Sequence, residues 1–320
     1  MNTRNSIDSK EYSQIIDSLA ITFIKARHIQ LLQSLTVKDF QDVENTLILL
    51  NNGQITCLQA DKKLTVEAGD MLFIASGQPV TLTYGSSSPV TLNNNDLIAE
   101  TRQYFQVVPA TACTTQCDNF SYITFDARIF NTANLFRHLG APAFVIKGDV
   151  PLYTTLSSIF IESHSQSVGR SRMLKAYTEQ LVIEIFRYLV AKNLFVREMT
   201  KHMHHFNNSR IISILDYIQR KLHSDLSNRV LAAVANVTED YLGQFFKMHT
   251  GCNPQDYIEY QRMEQAVKLL RTTPKSINDI SRAVGFKDPA YFCRRFKMKF
   301  GISAGKLRNG EMAMRNSQRF

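Results

Sequence analysis

Polar side chains that can contact nucleic acid recur at matching positions in two stretches of this chain. Residues 238–251 align with residues 288–301 without a gap. Five positions are identical, which pairs Tyr241, Phe246, Lys247, Met248 and Gly251 with Tyr291, Phe296, Lys297, Met298 and Gly301. Such a repeat predicts two copies of one structural unit, and two units on one chain can grip successive major-groove faces of a DNA duplex.

The outward-facing positions of the two stretches carry side chains suited to DNA. Gln pairs with adenine and Arg with guanine through two hydrogen bonds, whereas Lys neutralises a phosphate without reading sequence. We predict base contacts from a first set of residues, namely Asp240, Gln244, Ala290, Cys293 and Arg294. We predict phosphate contacts from a second, basic set, namely Lys247, Lys287, Arg295 and Lys297.

Apolar residues at helical spacing indicate which face of each stretch is buried. The expected buried stripe of the first helix consists of Tyr241, Leu242, Phe245 and Phe246. Phe292 and Phe296 have the same role in the second helix.

A tight turn precedes each of these helices. The turn contains Asn236 in the first unit and Gly285 in the second, and Asn and Gly best tolerate a positive φ. Both units are therefore predicted to be helix-turn-helix units, at roughly 227–249 and 276–299. A connecting helix is predicted to begin at Pro254, which suits a first helical turn, and to end near Arg271.

The net charge of the chain lies on the part that carries the repeat. Residues 207–320 contain 19 Lys and Arg against 10 Asp and Glu, whereas residues 1–206 contain 18 of each. The whole formal charge of +9 therefore falls on the C-terminal part. A basic region beside a neutral one predicts that the first binds phosphate and that the second has another task.

The N-terminal half has the pattern of a β-sandwich or barrel. Short apolar or β-branched runs between turn residues predict strands at 46–50, 55–58, 63–66, 70–75, 80–84 and 120–125. A short helix is predicted over 128–139, and Phe73 and Leu82 are expected to line the barrel interior.

From Val150 onward the apolar period becomes helical. In a helix predicted near 171–192, one face carries Leu174, Leu181, Ile185 and Leu189. This stripe can form the contact of a homodimer, and equally it can pack on the barrel of its own chain. The sequence leaves both alternatives open.

The repeat-bearing part resembles the AraC/XylS family of bacterial transcription regulators. In the second unit the resemblance lies in Ile280, Ala283, Val284, Gly285, Phe286, Asp288, Pro289, Tyr291, Phe292, Arg295, Phe296, Lys297, Phe300, Gly301 and Arg308. In the first unit it lies in Leu231, Ala232, Leu242, Phe246, Lys247, Gly251 and Arg262. The N-terminal half is similar in pattern to the cupin-like effector barrel of that family, most visibly at 47–53 and 66–74.

The resemblance implies an α+β, multidomain fold, with an N-terminal cupin-like β-barrel plus helices and a C-terminal all-α domain that contains two helix-turn-helix units. We place the barrel at 1–149, a helical dimerisation segment at 150–200, a linker at 201–208, the DNA-binding domain at 209–308 and a tail at 309–320.

The implied function is that of a sequence-specific, DNA-binding transcription regulator. Its expected partners are double-stranded DNA, a second copy of the chain, RNA polymerase and a small-molecule effector, whose binding residues the resemblance does not supply. The alternative is a ligand-independent activator whose N-terminal domain only dimerises or binds a protein partner.

Histidine and cysteine usage argues against a metal site and against an enzyme. No histidine lies between His28 and His138, so the strands lack the ligands that metal-dependent cupin enzymes use. We therefore expect no catalysis, no cofactor and no metal. The remaining clusters, in which no metal is expected either, are Cys113 with Cys117 and, in the predicted linker, His202, His204 and His205.

The N-terminus and the cysteines together favour the cytoplasm. Residues 1–18 are polar and lack the apolar stretch of a leader, and no long apolar run predicts a membrane span. The five cysteines are odd in number and scattered, which is typical of a reducing compartment.

Overall fold

The computed structural model of this chain describes residues 16–17, 19–85, 89–109, 117–129, 133–194, 208–250, 252–300 and 303–309. The predicted linker at 201–208 lies outside the described residues except for its last residue. The tail at 309–320 lies outside the described residues except for its first residue. Cys113, His202, His204 and His205 also lie outside the described residues.

Two facing β-sheets form the N-terminal part. Their strands are β1 (Leu19–Leu31), β2 (Leu35–Phe40), β3 (Asn45–Asn52), β4 (Ile55–Gln59), β5 (Lys62–Val66), β6 (Met71–Ile74), β7 (Val80–Tyr84), β8 (Val90–Asn93), β9 (Phe105–Val108), β10 (Asn119–Ile129), β11 (Ala133–Asn134) and β12 (Phe144–Ile146). One sheet has the order β12-β6-β3-β10-β1-β9, with β11 beside β10, and the other has the order β5-β4-β7-β2-β8. The predicted strands are confirmed, within a few residues at their ends.

Alternating side chains fill the space between the sheets. Leu35, Val37, Ile48 and Leu82 are buried there, as the period of two along a strand requires. The prediction that Phe73 lines this interior is wrong. Its side chain lies on the opposite face of β6, where its ring centroid is 4.7 Å from that of Phe136 and 4.9 Å from that of Phe144.

The helices of the described chain follow from capping residues and apolar periods. They are α1 (Asn94–Tyr104), α2 (Leu135–His138), α3 (Val150–His164), α4 (Arg170–Ala191), α5 (Ser209–Arg220), α6 (Asn228–Ala235), α7 (Glu239–Thr250), α8 (Pro254–Thr272), α9 (Ile277–Ala283) and α10 (Pro289–Phe300). None of the described helices is long and apolar enough to cross a membrane.

The helix predicted over 128–139 is wrong in its first half, where the described residues 128–129 and 133–134 are strand. β10 continues to Ile129, which pairs with Leu19 of β1, and among the described residues of this range the helix is α2. The side chain of Asn134 caps α2 by accepting a hydrogen bond from the backbone N–H of Arg137. Pairing with a distant strand therefore outweighed the local helical pattern.

Helices α3 and α4 cover the outer face of the larger sheet. Leu181, Ile185 and Leu189 are 0% exposed and Leu174 is 4% exposed, all in the core of their own chain. The structure therefore supports the second alternative for this stripe, in which it packs on the barrel of its own chain. The four residues predicted as a dimer contact have no surface left for a second copy.

Buried charges join the barrel to α8. Arg128 on β10 donates hydrogen bonds to Asp126 at 2.6 Å, to Glu264 at 2.6 Å and to Gln261 at 3.0 Å. Arg128 is 7% exposed and Glu264 is 3% exposed. Burial by itself lowers the pKa of Arg128, but the carboxylates of Glu264 and Asp126 raise it overall, so the guanidinium stays charged.

Removing this arginine should destabilise the whole chain. Arg128→Met should lower the free energy of unfolding by about 3–5 kcal/mol, because it takes the shared cation from two buried carboxylates. Urea unfolding of the full chain measures the change. Arg220→Met removes an exposed pair with Asp216 on α5 and should cost less than about 1 kcal/mol. Similar losses for the two variants would contradict a structural role for the buried network.

Candidate nucleic-acid interface

Two helix-turn-helix units lie on either side of α8. The first consists of α6 and α7 and the second of α9 and α10, close to the predicted bounds. Leu242, Phe245 and Phe246 are buried as predicted, and so are Phe292 and Phe296 of the second unit.

Tyr241 is not part of the buried stripe. Its side chain is 43% exposed, and that of its counterpart Tyr291 is 42% exposed. The two tyrosines are therefore surface residues at equivalent places in the two units. Because the same residue type stands at this position in both copies of the repeat, the sequence already indicated that the two tyrosines share an environment.

Left-handed residues make the turn in both units. Asn236 has φ 55° and Gly285 has φ 99°, which confirms the role predicted for these two residues. Asp288 then caps α10, because its side chain accepts a hydrogen bond of 2.8 Å from the backbone N–H of Ala290.

Gly285 also lies against the segment that leads into the first unit. A Cβ at this position would be 2.7 Å from the carbonyl oxygen of Leu222. Arg262 of α8 donates to that same oxygen at 2.9 Å and to the carbonyl oxygen of Ser224 at 3.0 Å. Arg262 therefore connects the segment before the first unit to the turn of the second.

The spacing of the units depends on α8. Its 19 residues extend about 28 Å at 1.5 Å per residue. That length is comparable with the pitch of B-DNA, so the two recognition helices can face successive turns of one groove.

The residues predicted to touch bases all lie on the surface. The exposed set comprises Asp240, Gln244, Ala290, Cys293 and Arg294. Lys247, Lys287 and Lys297, predicted to touch phosphate, are exposed as well. The structure thus brings the two sets onto the outer faces of α7 and α10 and the turn before α10, and the contacts themselves stay predictions.

Arg295 differs from the other predicted phosphate ligands. It is half-buried and pairs with Glu259 of α8, with hydrogen bonds of 2.9 Å from Nε and 2.6 Å from Nη2. The hydroxyl of Tyr291 donates to the same carboxylate at 3.3 Å. The hydrogen bonds to Glu259 raise the pKa of Arg295. Part of its charge is thus neutralised within the protein, and its side chain is oriented from α8.

A cavity of about 230 Å³ lies inside the barrel, at the side that meets the second unit. Its walls are mainly apolar and come from both parts of the chain. The barrel and α1 supply Lys25, Ile29, Phe40, Gln41, Asp42, Val43, Thr46, Ile48, Tyr84, Leu97, Thr101, Phe105, Phe120, Tyr122 and Thr124, and the C-terminal part supplies Val267, Arg271, Phe296, Phe300 and Leu307. None of these residues was predicted from the sequence to bind an effector.

An ion-pair cluster closes one side of the cavity. Arg271 of α8 lies 2.5 Å from Glu44 Oε1 and 3.3 Å from Asp42 Oδ1. Burial and the Asp42 carboxylate raise the pKa of Glu44 to about 8. For Asp42, burial acts upward, but Arg271 and Lys25 bring the pKa below its usual range. At neutral pH the charged partner of Arg271 is therefore mainly Asp42.

His28 does not face the cavity. Its Nδ1 lies 2.6 Å from Ser121 Oγ, and its ring is 4.5 Å from that of Phe160 on α3. Among the described residues, no group of three His, Cys, Asp or Glu side chains is arranged to hold a metal ion.

Comparison with known protein families and curated sequences identifies the C-terminal part. Residues 231–310 match the family described as Helix-turn-helix domain. A Lactose operon transcription activator of Staphylococcus xylosus is 37% identical over 102 residues, which cover 32% of this chain and 37% of that protein. An Arabinose operon regulatory protein of Salmonella typhimurium is 29% identical over 154 residues, which cover 47% of this chain and 53% of that protein. An HTH-type transcriptional regulator of Haemophilus influenzae is 22% identical over 264 residues, 81% of this chain and 84% of that protein.

Comparison with solved structures concerns the fold of the whole chain. ToxT from Vibrio cholerae matches with a TM-score of 0.52 at 12% sequence identity, over 92% of this chain and 98% of that one. The combination of a β-rich N-terminal part and a helical C-terminal part with helix-turn-helix units is thus shared with a known fold, and the expected fold class is confirmed.

Glycines in the two units should respond in opposite ways to an added methyl group. Gly285→Ala should lower the free energy of unfolding by about 1–3 kcal/mol, because Ala is strained at positive φ and its Cβ meets a backbone oxygen. Gly243→Ala, in α7 with open space around it, should raise it by roughly 0.5–1 kcal/mol. Denaturant unfolding of both variants makes the comparison. Stabilisation by Gly285→Ala would contradict the assigned turn.

Proposed function

We propose that this chain is a member of the AraC/XylS family of bacterial transcription regulators, that it binds a specific DNA sequence and that it responds to a small organic effector. The observation that carries the proposal is the pair of recognition helices, α7 and α10, which present equivalent faces on either side of one connecting helix. Regulation rather than catalysis is also the role named for the relatives.

The two units are expected to contribute differently to the recognition of DNA sequence. The second carries Arg294 in the middle of its exposed face with Lys297 one turn away, whereas the first offers Gln244 and Lys247. An exposed guanidinium can donate two hydrogen bonds to guanine, which a lysine cannot match. The second unit is therefore the stronger reader of sequence in this proposal.

The cavity is the proposed effector site. Phe296 and Phe300 of α10 and Val267 of α8 form part of its wall, so a molecule held by the barrel contacts the second unit directly. A ligand whose affinity differs between two arrangements of these parts shifts the equilibrium between them. A ToxT structure with an unsaturated fatty acid bound supports an organic occupant for a protein of this fold.

We also propose a homodimer, through a surface other than the buried leucines. On α3 the side chains of Val150, Tyr153 and Ile161 are 73%, 50% and 75% exposed, and Val168 in the following loop is fully exposed. A row of exposed apolar residues on one helix face is typical of an interaction surface.

RNA polymerase is the further partner through which a DNA-bound regulator would act on transcription.

A charge on this face tests the dimer. Ile161→Glu should reduce the mass measured by light scattering from two chains to one, because it places a carboxylate in an apolar contact. Ala233→Glu, at an exposed position on α6, is the matched control and should leave the mass unchanged. A two-chain mass for a folded Ile161→Glu protein would exclude this face as the dimer contact.

Substitutions on α10 test the DNA proposal. On the tightest-binding duplex selected from a random pool, Arg294→Ala should cost roughly 1–3 kcal/mol, and it should cost much less on random DNA. Lys297→Ala should weaken binding to both DNAs about equally and make the dependence on salt shallower by about one unit of slope.

Titrations of the full chain at several salt concentrations supply both measurements. Equal losses for Arg294→Ala on the two DNAs would restrict Arg294 to the phosphate backbone. Unchanged affinity in both variants would contradict recognition of DNA by α10.

A further inference from the structure

We infer that Glu259 of α8 raises the sequence specificity of the second unit, because it anchors one rim of α10 and withholds the charge of Arg295 from DNA phosphate. This inference rests on the proposed function and gives a role in it to a residue outside the predicted DNA contacts.

The Glu259 carboxylate holds two residues that lie one turn apart on α10. Its Oε1 atom accepts from Nε of Arg295 at 2.9 Å and from Nη2 at 2.6 Å, and its Oε2 atom accepts from the hydroxyl of Tyr291 at 3.3 Å. At about 100° per residue, these two residues form the rim between the exposed Arg294 and the buried Phe292. Glu259 therefore fixes the rotation of α10 about its own axis relative to α8.

The atoms that Arg295 uses for this pair are the ones that would bind a phosphate. Nε and Nη2 form one edge of the guanidinium, and such an edge binds a carboxylate or a phosphate through two parallel hydrogen bonds. Both atoms donate to Glu259. Glu259 and a DNA phosphate therefore compete for this edge, and a phosphate contact through it requires that the pair opens.

The pair lies at the surface, where DNA can reach it. The side chain of Arg295 is 38% exposed and that of Glu259 is 20% exposed. Glu259 and Tyr291 line an open groove between the two units, together with Glu239 at the start of α7. In the proposed complex, the duplex crosses this groove between one recognition helix and the other.

The first unit shows that packing at this place does not need an ion pair. Phe245 stands at the position that matches Arg295, and it is 4% exposed. The ring centroid of Tyr241, the counterpart of Tyr291, lies 5.9 Å from that of Phe245. An apolar residue thus supports the tyrosine in the first unit, and partly exposed ion pairs add little stability. The ion pair of the second unit therefore has a role other than stability.

The charge of α10 indicates what that role is. Its 12 residues contain four basic residues and no acidic one, whereas α7 contains two acidic residues and one lysine. Each cation that binds a phosphate strengthens binding to every DNA sequence alike. Pairing Arg295 with Glu259 lowers this sequence-independent affinity. Anchoring α10 acts in the same direction, because the paired hydrogen bonds of Arg294 to a base need a fixed geometry.

Glu259→Gln tests the inference in the full chain, because it keeps the shape of the side chain and releases Arg295. We expect the affinity for random DNA to rise roughly three- to tenfold at about 0.1 M salt, and its dependence on salt to steepen by about 0.9 units of slope, the value of one phosphate contact. The duplex selected for tightest binding should gain less, because α10 loses its anchor. The ratio of the two affinities should therefore fall at least roughly threefold.

Fluorescence anisotropy titrations with both DNAs at several salt concentrations measure these changes. Weaker binding to both DNAs would mean that the pair only supports the fold of the second unit. Unchanged binding, or an equal gain on both DNAs, would mean that the pair does not affect specificity. Each of these results would overturn the inference.

Two further variants test whether the gain comes from Arg295. The double variant Glu259→Gln with Arg295→Met should return the affinity for random DNA to within about twofold of the wild type, because the released cation is gone. Glu239→Gln removes a carboxylate from the same groove without releasing an arginine, so it should raise this affinity less than about twofold. A gain that persists in the double variant, or an equal gain in Glu239→Gln, would overturn the role of Arg295.

The same titrations separate this inference from the proposed function. A wild-type chain that prefers its selected duplex, by a ratio that Glu259→Gln leaves unchanged, would overturn the inference alone. A wild-type chain that binds all duplexes equally would overturn specific DNA recognition, and the inference with it.

Discussion

Helix α8 carries buried charges that the barrel, a separate part of the chain, neutralises. Glu264 is paired with Arg128 of the barrel, and Arg271 is paired with Asp42 and Glu44. A buried ion that loses its partner is costly, so the helix is held against the barrel in this arrangement. Because α8 also joins the two helix-turn-helix units, the position of both units depends on these few ion pairs.

The cavity lies beside this same contact. Part of its lining is the inner face of the larger sheet, and part comes from α8 and α10. Arg271 takes part in both features, since it lines the cavity and pairs with the barrel carboxylates. A ligand in the cavity therefore lies next to the charges that fix α8, which gives the barrel a direct physical route to the DNA-binding helices.

Three features were left open or wrongly predicted from the sequence, because the local pattern allowed more than one structure. The leucine stripe of α4 has the spacing of a dimer contact and also that of a core face, and the adjoining sheet made it a core face. The segment from Arg128 looked helical, but pairing of β10 with β1 extended the strand through Ile129. Phe73 was assigned to the wrong side of its sheet, because alternation marks two faces without saying which one encloses the barrel.

The sequence by itself determined both helix-turn-helix units, down to the left-handed residues Asn236 and Gly285, because helical period and turn chemistry are properties of neighbouring residues. It also placed the positive charge on that part of the chain. Only the tertiary structure decided which distant residues meet. Arg271 donates a hydrogen bond to Glu44, 227 positions away, and Arg27 shares a sheet face with Thr124. Strand register and domain packing set those contacts, and neither is written in the local spacing of residues.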